Sequence, residues 1–353
     1  MKITLPKPAE EYLNKKADEF LMLLRPPPDH KDRPKRSLSS SYKHIDLHLT
    51  AEQVGQTLLS GTVDGFGNDT SRFFPTPKGS IGLVASDYSS FESLVEQIAN
   101  RSEIKPLLSN RYVADTLFHW FEGRYIGKLS SSDPFVSFLL NSAETDIKNH
   151  RVAIPLSNFV IEKSFTLGNV LFDFYTSDFF DNVEKTLTQR NPRRALDDMK
   201  RLRQEYQGVV FAITKVNAEQ ERCIEVATEE TEKALAVLRF FSPTMFWPQI
   251  RSYFGRLGHS AVPTNNYWVF DDGQIPEVVQ QLGERGQFNL TVETEFLELI
   301  KQAGLDSFGE LISNPNPNDF EQLFLNSLFI LSKSVTSTDF QDKIVFALAS
   351  LET

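Results

Sequence analysis

The side chains best suited to chemistry fall into a few small groups, and none of them completes a catalytic set. His44, Asp46 and His48 alternate along a stretch with strand periodicity, so all three project from one face. Two histidines at that spacing can share a metal ion. A zinc site needs three or four ligands, however, and no distant fourth presents itself. An exposed polar strand face is the preferred reading, and no metal is expected. His119 stands in Leu-Phe-His-Trp-Phe-Glu-Gly-Arg, with Glu122 on the same helix face. The pair could act as a general base, but so aromatic a setting favours a structural histidine or the edge of a packed Trp120. His150 and His259 fall in expected loops without an identifiable partner. Cys223 is the single cysteine, which excludes an intramolecular disulfide and any cysteine-based zinc site. It lies on the apolar stripe of an expected helix and reads as a buried, inert thiol. No serine occupies a nucleophile elbow and no Walker loop is present. Gly65 and Gly67 lack the later glycine and the helix start of a phosphate loop.

The densest basic segment supplies Arg190, Arg193, Arg194, Lys200, Arg201 and Arg203, and it is the first place to look for RNA contacts. As a helix it would bury Leu196, Met199, Leu202 and Tyr206. Arg194 would then pair with Asp198, and Asp197 with Arg201, at i,i+4. Those internal partners favour a solvated, salt-bridged helix over a phosphate-binding face. Lys31, Arg33, Lys35 and Arg36 lie in a polar, Ser-rich connection and read as a solvated loop. The net charge of −10 argues against a surface that is basic throughout, although a local basic face remains compatible with it. Phe is the unusual residue, at 29 against 9 Tyr and 3 Trp. Phe has no polar handle, so its abundance implies large buried cores rather than a platform for stacking bases.

The elements that must position these residues follow from periodicity and turn chemistry. At 353 residues, 40% hydrophobic and 24% charged, the chain is long enough for two domains, or for one large one with appendages. A helix is expected from Glu10 to Arg25, stopped by Pro26, Pro27 and Pro28. Ile45, Leu47 and Leu49 mark a strand, and residues 61–82 read as turns between short strands. Helices are expected over Ser90–Asn100 and Asn110–Phe121. The middle is β: Val152–Ile161, a hairpin turning at Gly168-Asn169, and Val209–Val216. Asn217, with Gln220 three residues on, is expected to cap a helix reaching Phe241, with Cys223, Val226, Ala227, Ala234, Leu238 and Phe241 as its stripe. A short strand at Tyr267–Phe270 follows. Then come helices at Thr291–Ala303, ended by Gly304, and at Asp306–Ile312. Asn318 and Glu321 form a further capping pair, and Thr338 and Gln341 another. Strands and helices are segregated, which favours an α+β fold. A β-containing region over 1–216, richest in strand from 150 to 216, precedes a mainly helical region over 217–353. No run approaches the ~20 apolar residues of a membrane helix, and no signal peptide is visible. A cytoplasmic location is expected.

The order of motifs in the second half carries a resemblance. It begins at Val152-Ala-Ile-Pro-Leu-Ser-Asn-Phe and passes through Phe165-Thr-Leu-Gly-Asn-Val and the long helix from Glu219 to Phe241. It closes with Phe320–Lys333 and Asp342-Lys-Ile-Val-Phe-Ala-Leu-Ala-Ser-Leu-Glu352. Over roughly the last 200 residues this resembles the large bacterial proteins with an Apea-like HEPN domain. The resemblance implies a helical C-terminal bundle, RNA as target, and a role in defence against phage. In HEPN ribonucleases an Arg and a His four to six residues apart act without metal, the His as acid or base and the Arg on the phosphorane charge. Two such motifs usually meet across a dimer. Here Arg251 and His259 have the wrong spacing, and Arg25 and His30 lie in the wrong region. The family's Arg/His helix is expected after Glu352, which makes Asp339–Glu352 an interior helix of the bundle. Glu352 matches the family's acidic position, where a catalytic and a structural role are both open.

The expected function is therefore the sensing or binding region of a HEPN-type anti-phage protein whose complete form targets RNA. The alternative is a non-enzymatic protein-interaction or ligand-binding module unrelated to defence. A metal-dependent hydrolase built on His44 and His48 is a distant third. Partners expected are RNA, a phage-derived trigger and a second copy of the chain, joined through C-terminal helices whose faces Phe320–Leu331 and Ile344–Leu351 are apolar on too many sides for a lone pair. No membrane contact and no cofactor are expected.

Overall fold

The computed structural model describes residues 3–27, 60–63, 69–77, 79–174, 203–243, 254–257, 264–269, 277–282, 290–337 and 340–352, with 177, 180, 181, 185 and 201 besides. The fold is α+β, with helices and sheets in separate runs of sequence, as the patterning predicts. By contacts the chain divides into two compact units, Met1–Lys148 with Asn217–Arg222, and Asn149–Val216 with Cys223–Thr353.

The first unit opens with helix α1 (Lys7–Leu21), which buries Leu13, Ala17 and Phe20. It ends four residues before the expected Arg25. The amides of Met22 and Leu23 turn back to the carbonyls of Glu19 and Phe20, while Arg25 is extended and exchanges both backbone bonds with Gly82 at 3.0 Å. A residue before proline is steered out of the helical region, and Pro26 does that to Arg25. Strands β1 (Ser60–Val63), β2 (Asp69–Thr76) and β3 (Gly79–Leu83) form an antiparallel sheet in sequence order. Gly82 is obligatory there, since a Cβ would stand 2.0 Å from the Arg72 carbonyl oxygen.

Helices α2 (Ala85–Ala99), α3 (Asn110–Tyr125) and α4 (Phe135–Asp146) complete the unit. Sequence periodicity finds the first two but not α4, whose polar Asn141, Ser142 and Glu144 break its apolar run. The core is rich in phenylalanine, as the composition implies. Phe91 packs edge-on against Phe118 with ring centroids 5.1 Å apart, and Trp120 meets Phe135 edge-on at 5.9 Å.

The second unit holds a five-stranded sheet in the order β6-β7-β8-β4-β9, from β4 (Lys148–Ser157), β6 (Phe165–Leu167), β7 (Val170–Phe174), β8 (Val210–Ala218) and β9 (Gly255–Arg256). The hairpin turns at Gly168-Asn169 as expected, pairing Leu167 with Val170 across a two-residue loop. Strand β5 (Phe159–Ile161) pairs in parallel with β12 (Leu290–Val292), and β10 (Thr264–Val269) with β11 (Glu277–Leu282) in antiparallel fashion. Leu290–Val292 is thus strand, where periodicity expects a helix to begin at Thr291.

Helix α5 (Gln220–Phe241) follows β8. Asn217 is not its cap, because β8 continues through Ala218. The Glu219 carboxylate does the work instead, accepting the amides of Glu221 at 2.7 Å and Arg222 at 2.8 Å. The single stripe expected along α5 also understates its burial: Ala234 to Leu238 are all buried, so this stretch is enclosed on every side. Helices α6 (Thr294–Gln302), α7 (Leu305–Ser313), α8 (Asp319–Thr336) and α9 (Phe340–Glu352) follow. Gly304 joins α6 to α7 at a φ of 106°, a conformation natural to glycine. The Asn318/Glu321 capping box at α8 is present in full, whereas Thr338 lies outside the described residues.

Candidate functional site

Of the basic segment, Arg190, Arg193, Arg194 and Lys200 lie outside the described residues, as do His44, Asp46, His48, His259 and Lys31–Arg36. Arg201 is exposed and pairs with Glu205 four residues on, at 3.2 Å. Arg203 pairs with Asp181 and lies over the Phe180 ring at 6.0 Å. Both described cations of the segment therefore have carboxylate partners of their own. His119 is exposed on α3, while the neighbouring Trp120 is buried and donates its indole N–H to the Asp133 carbonyl at 3.0 Å. His150 sits on β4 with Nε2 buried and without a hydrogen-bond partner. Cys223 is buried, its Sγ 3.7 Å from the Val216 carbonyl oxygen. Among the described residues no three His, Cys, Asp or Glu side chains are grouped to hold a metal. None of their helices is long and apolar enough to cross a membrane. Glu352 is exposed in the last turn of α9.

What the second unit does assemble is a helical pair with an uncovered apolar face. Helices α8 and α9 are joined by residues 337–339 and pack against each other, the Ser334 hydroxyl donating to the Lys343 carbonyl at 2.8 Å. The inner side of α8 buries Leu325, Leu328 and Val335. On the outside, Ile344, Val345, Leu348 and Leu351 of α9 are exposed, Leu351 to 83%, and so are Phe320, Leu323 and Phe324 of α8, Phe320 to 76%. This is the exposure expected from the sequence. Ile344, Leu348 and Leu351 recur at i, i+4 and i+7 and so form one stripe. Phe320 and Phe324 also line an apolar groove of about 270 Å³ with Phe308 and Leu311. Scattered single apolar side chains are ordinary on a surface, but several exposed large ones on one helix pair call for a partner.

Behind α8 lies a charged cluster that periodicity does not reveal. Arg239 of α5 is 8% exposed. Its guanidinium donates to the Ser332 hydroxyl at 3.0 Å and to the Phe254 carbonyl at 3.2 Å, and it lies 3.6 Å from the Glu232 carboxylate. Arg256 of β9 reaches the same Glu232 at 2.6 Å. Burial pushes the Arg239 guanidinium below its usual range, against the pull of Glu232. The cluster ties α5, β9 and α8 together and stands where a hydrophobic stripe alone would be read. In the first unit, Glu219 was missed in the same way. The sequence signal was available: an acidic side chain just before a helix can serve as its cap. Compared with known proteins, the chain matches no family model, no curated protein and no solved structure.

Proposed function

We propose that this chain is the sensing and assembly region of a HEPN-type defence protein that targets RNA, and that its C-terminal helices join two copies. The observation that carries the assembly half is the uncovered apolar stripe Ile344–Leu348–Leu351 on α9. A second copy is its natural occupant because the stripe is self-complementary. In an antiparallel pairing centred between Ala347 and Leu348, Ile344 faces Leu351, and Lys343 at one end faces Glu352 at the other. The charges then match at both ends. The RNA-directed, anti-phage half rests on the motif order from Val152 to Glu352 and on the helical hairpin that closes it. In this reading Glu352 lies on an assembly helix, and Arg201 and Arg203 are held by Glu205 and Asp181.

The test pairs oligomeric state with protection. Sedimentation of the purified protein across concentrations should give a dimer, and Leu348→Glu should give a folded monomer. Bacteria carrying the natural gene, challenged with a panel of phages, should show reduced plaque formation that Leu348→Glu abolishes. A monomer at every concentration removes the assembly claim, and unchanged plaque formation across the panel removes the defence claim.

A further inference from the structure

The three-stranded sheet of the first unit ends at β3, whose Ile81 and Leu83 are buried in the core. An apolar strand at a sheet edge is a template for another chain, because its outward N–H and C=O groups stand ready to pair. On β3 the outward residue is Gly82, which exchanges both of its backbone bonds with Arg25 at 3.0 Å. Backbone groups alternate in direction along an antiparallel strand, so Ser80 faces outward as well. Its partner on β2 is Pro75, a residue that fits only where the pair makes no ladder bonds.

The segment Arg25-Pro26-Pro27 lies along this edge. It runs antiparallel to β3, so continuing the pairing by two residues sets Pro27 against Ser80. That pair cannot close as Arg25 and Gly82 do, because Pro27 has no N–H to give to the Ser80 carbonyl. The bridge accordingly stays a single pair. Pro26, between the two, directs its backbone nitrogen away from β3 and has no N–H to offer there either. The strap therefore occupies the edge without presenting a new one. Its side-chain anchor is the Arg25 guanidinium, which donates to the Ser86 hydroxyl at 3.0 Å and to the Asp87 carboxylate at 2.7 Å, both in the first turn of α2. The Arg25 side chain is 53% exposed, and an ion pair so placed contributes little by itself. Pro26 and Pro27 are exposed too, where another chain would meet them.

We propose that Arg25–Pro27 is an edge guard, which keeps β3 from adding a strand from a second copy of the chain. The prolines block the ladder, and the Arg25–Asp87 pair aims them.

Pro26→Thr/Pro27→Thr restores both donors in residues that favour strand. In the intact protein, followed by thioflavin T fluorescence, this variant should form cross-β aggregates severalfold faster than the native chain. Pro26→Gly/Pro27→Gly restores the same donors and loosens the chain at least as much, but glycine disfavours strand, so it should aggregate more slowly than the threonine pair. Where the double threonine variant melts lower than the native protein, Pro26→Thr alone, which restores only the outward donor, should still speed aggregation. Hydrogen exchange on the freshly purified variant reads the geometry: the amide introduced by Pro27→Thr should be protected, and the one introduced by Pro26→Thr should exchange freely. Unchanged aggregation in both threonine variants overturns the guard. Equal rates for the glycine and threonine pairs overturn it too, because loosening alone would then suffice. Fast exchange at position 27 overturns the register on which it rests.

Discussion

Glu219 is a carboxylate almost removed from solvent, 3% exposed, and it accepts three backbone amides, those of Ser109, Glu221 and Arg222. Its own amide donates to the Leu107 carbonyl at 2.9 Å. Truncation would leave three donors without their acceptor, and hydrogen bonds to a charged group each contribute about 1.5–3 kcal/mol. Glu219→Ala should therefore lower unfolding stability by about 3 kcal/mol or more, measured by denaturant titration. Glu219→Gln keeps one acceptor oxygen and should lose less. Equal losses for the two variants would contradict the capping role. Tyr112 offers a pH test close by. Burial, and then its hydrogen bond to Asp146 at 2.8 Å, hold its phenol above the usual tyrosine value. The folded state thus keeps this proton when the unfolded chain releases it, near pH 10. The associated stability is full below that pH and declines as pH rises above it. Between pH 9 and 11.5 the melting temperature should fall less steeply in Tyr112→Phe than in the native chain, and parallel slopes would discount the phenol. Of these two residues, Tyr112 was visible only as a helix position. Glu219 was hidden by Asn217, the better cap on propensity, because strand pairing carried β8 past it.

At the scale of elements, local chemistry was the legible part. The Asn318/Glu321 box and the Gly168-Asn169 hairpin rest on neighbours in sequence, and both stand as their residues require. The hairpin shows why the glycine matters. Gly168 has a φ of 58°, and a Cβ there would lie 2.9 Å from Ile312 of α7, whose Gly309 carbonyl comes within 3.2 Å. Gly168→Ala combines backbone strain with overpacking and should cost about 2 kcal/mol, read as a lower denaturation midpoint. Ile312→Val in the same background should recover part of the loss, and no recovery would place the strain in the backbone alone. Elements that depend on distant pairing were less legible. Thr291 and Val292 read as the start of a helix in isolation, and Leu290–Val292 becomes strand because β5 offers it a parallel edge. Likewise Arg239 sits on what looks like an apolar face, and only the approach of Phe254 and Ser332 from remote segments makes its burial tolerable.

For the molecule as a whole, segregation of strand and helix was enough to assign an α+β fold, whereas sequence could not foresee which stretches share a core. The first unit recruits Asn217–Arg222 from across the β section, and no local pattern announces that return. The exposed face of α8 and α9, by contrast, could be read from sequence, since apolar residues fell on too many sides of both helices. If two copies bury that face, unfolding becomes concentration-dependent. The melting temperature of the native protein should rise across a hundredfold range of protein concentration, while that of Leu348→Glu should stay constant. A native melting temperature independent of concentration counts against the pairing.

The return of residues 217–222 also sets an order of events on the ribosome. Glu219, which caps both Ser109 and helix α5, is synthesised only after roughly seventy residues of the other unit have followed Lys148. At about 5–20 residues per second, the N-terminal unit waits several seconds for its last acceptor. Through that interval the amide of Ser109 and the carbonyl of Leu107 face solvent, and the nascent chain must hold its first core together without them.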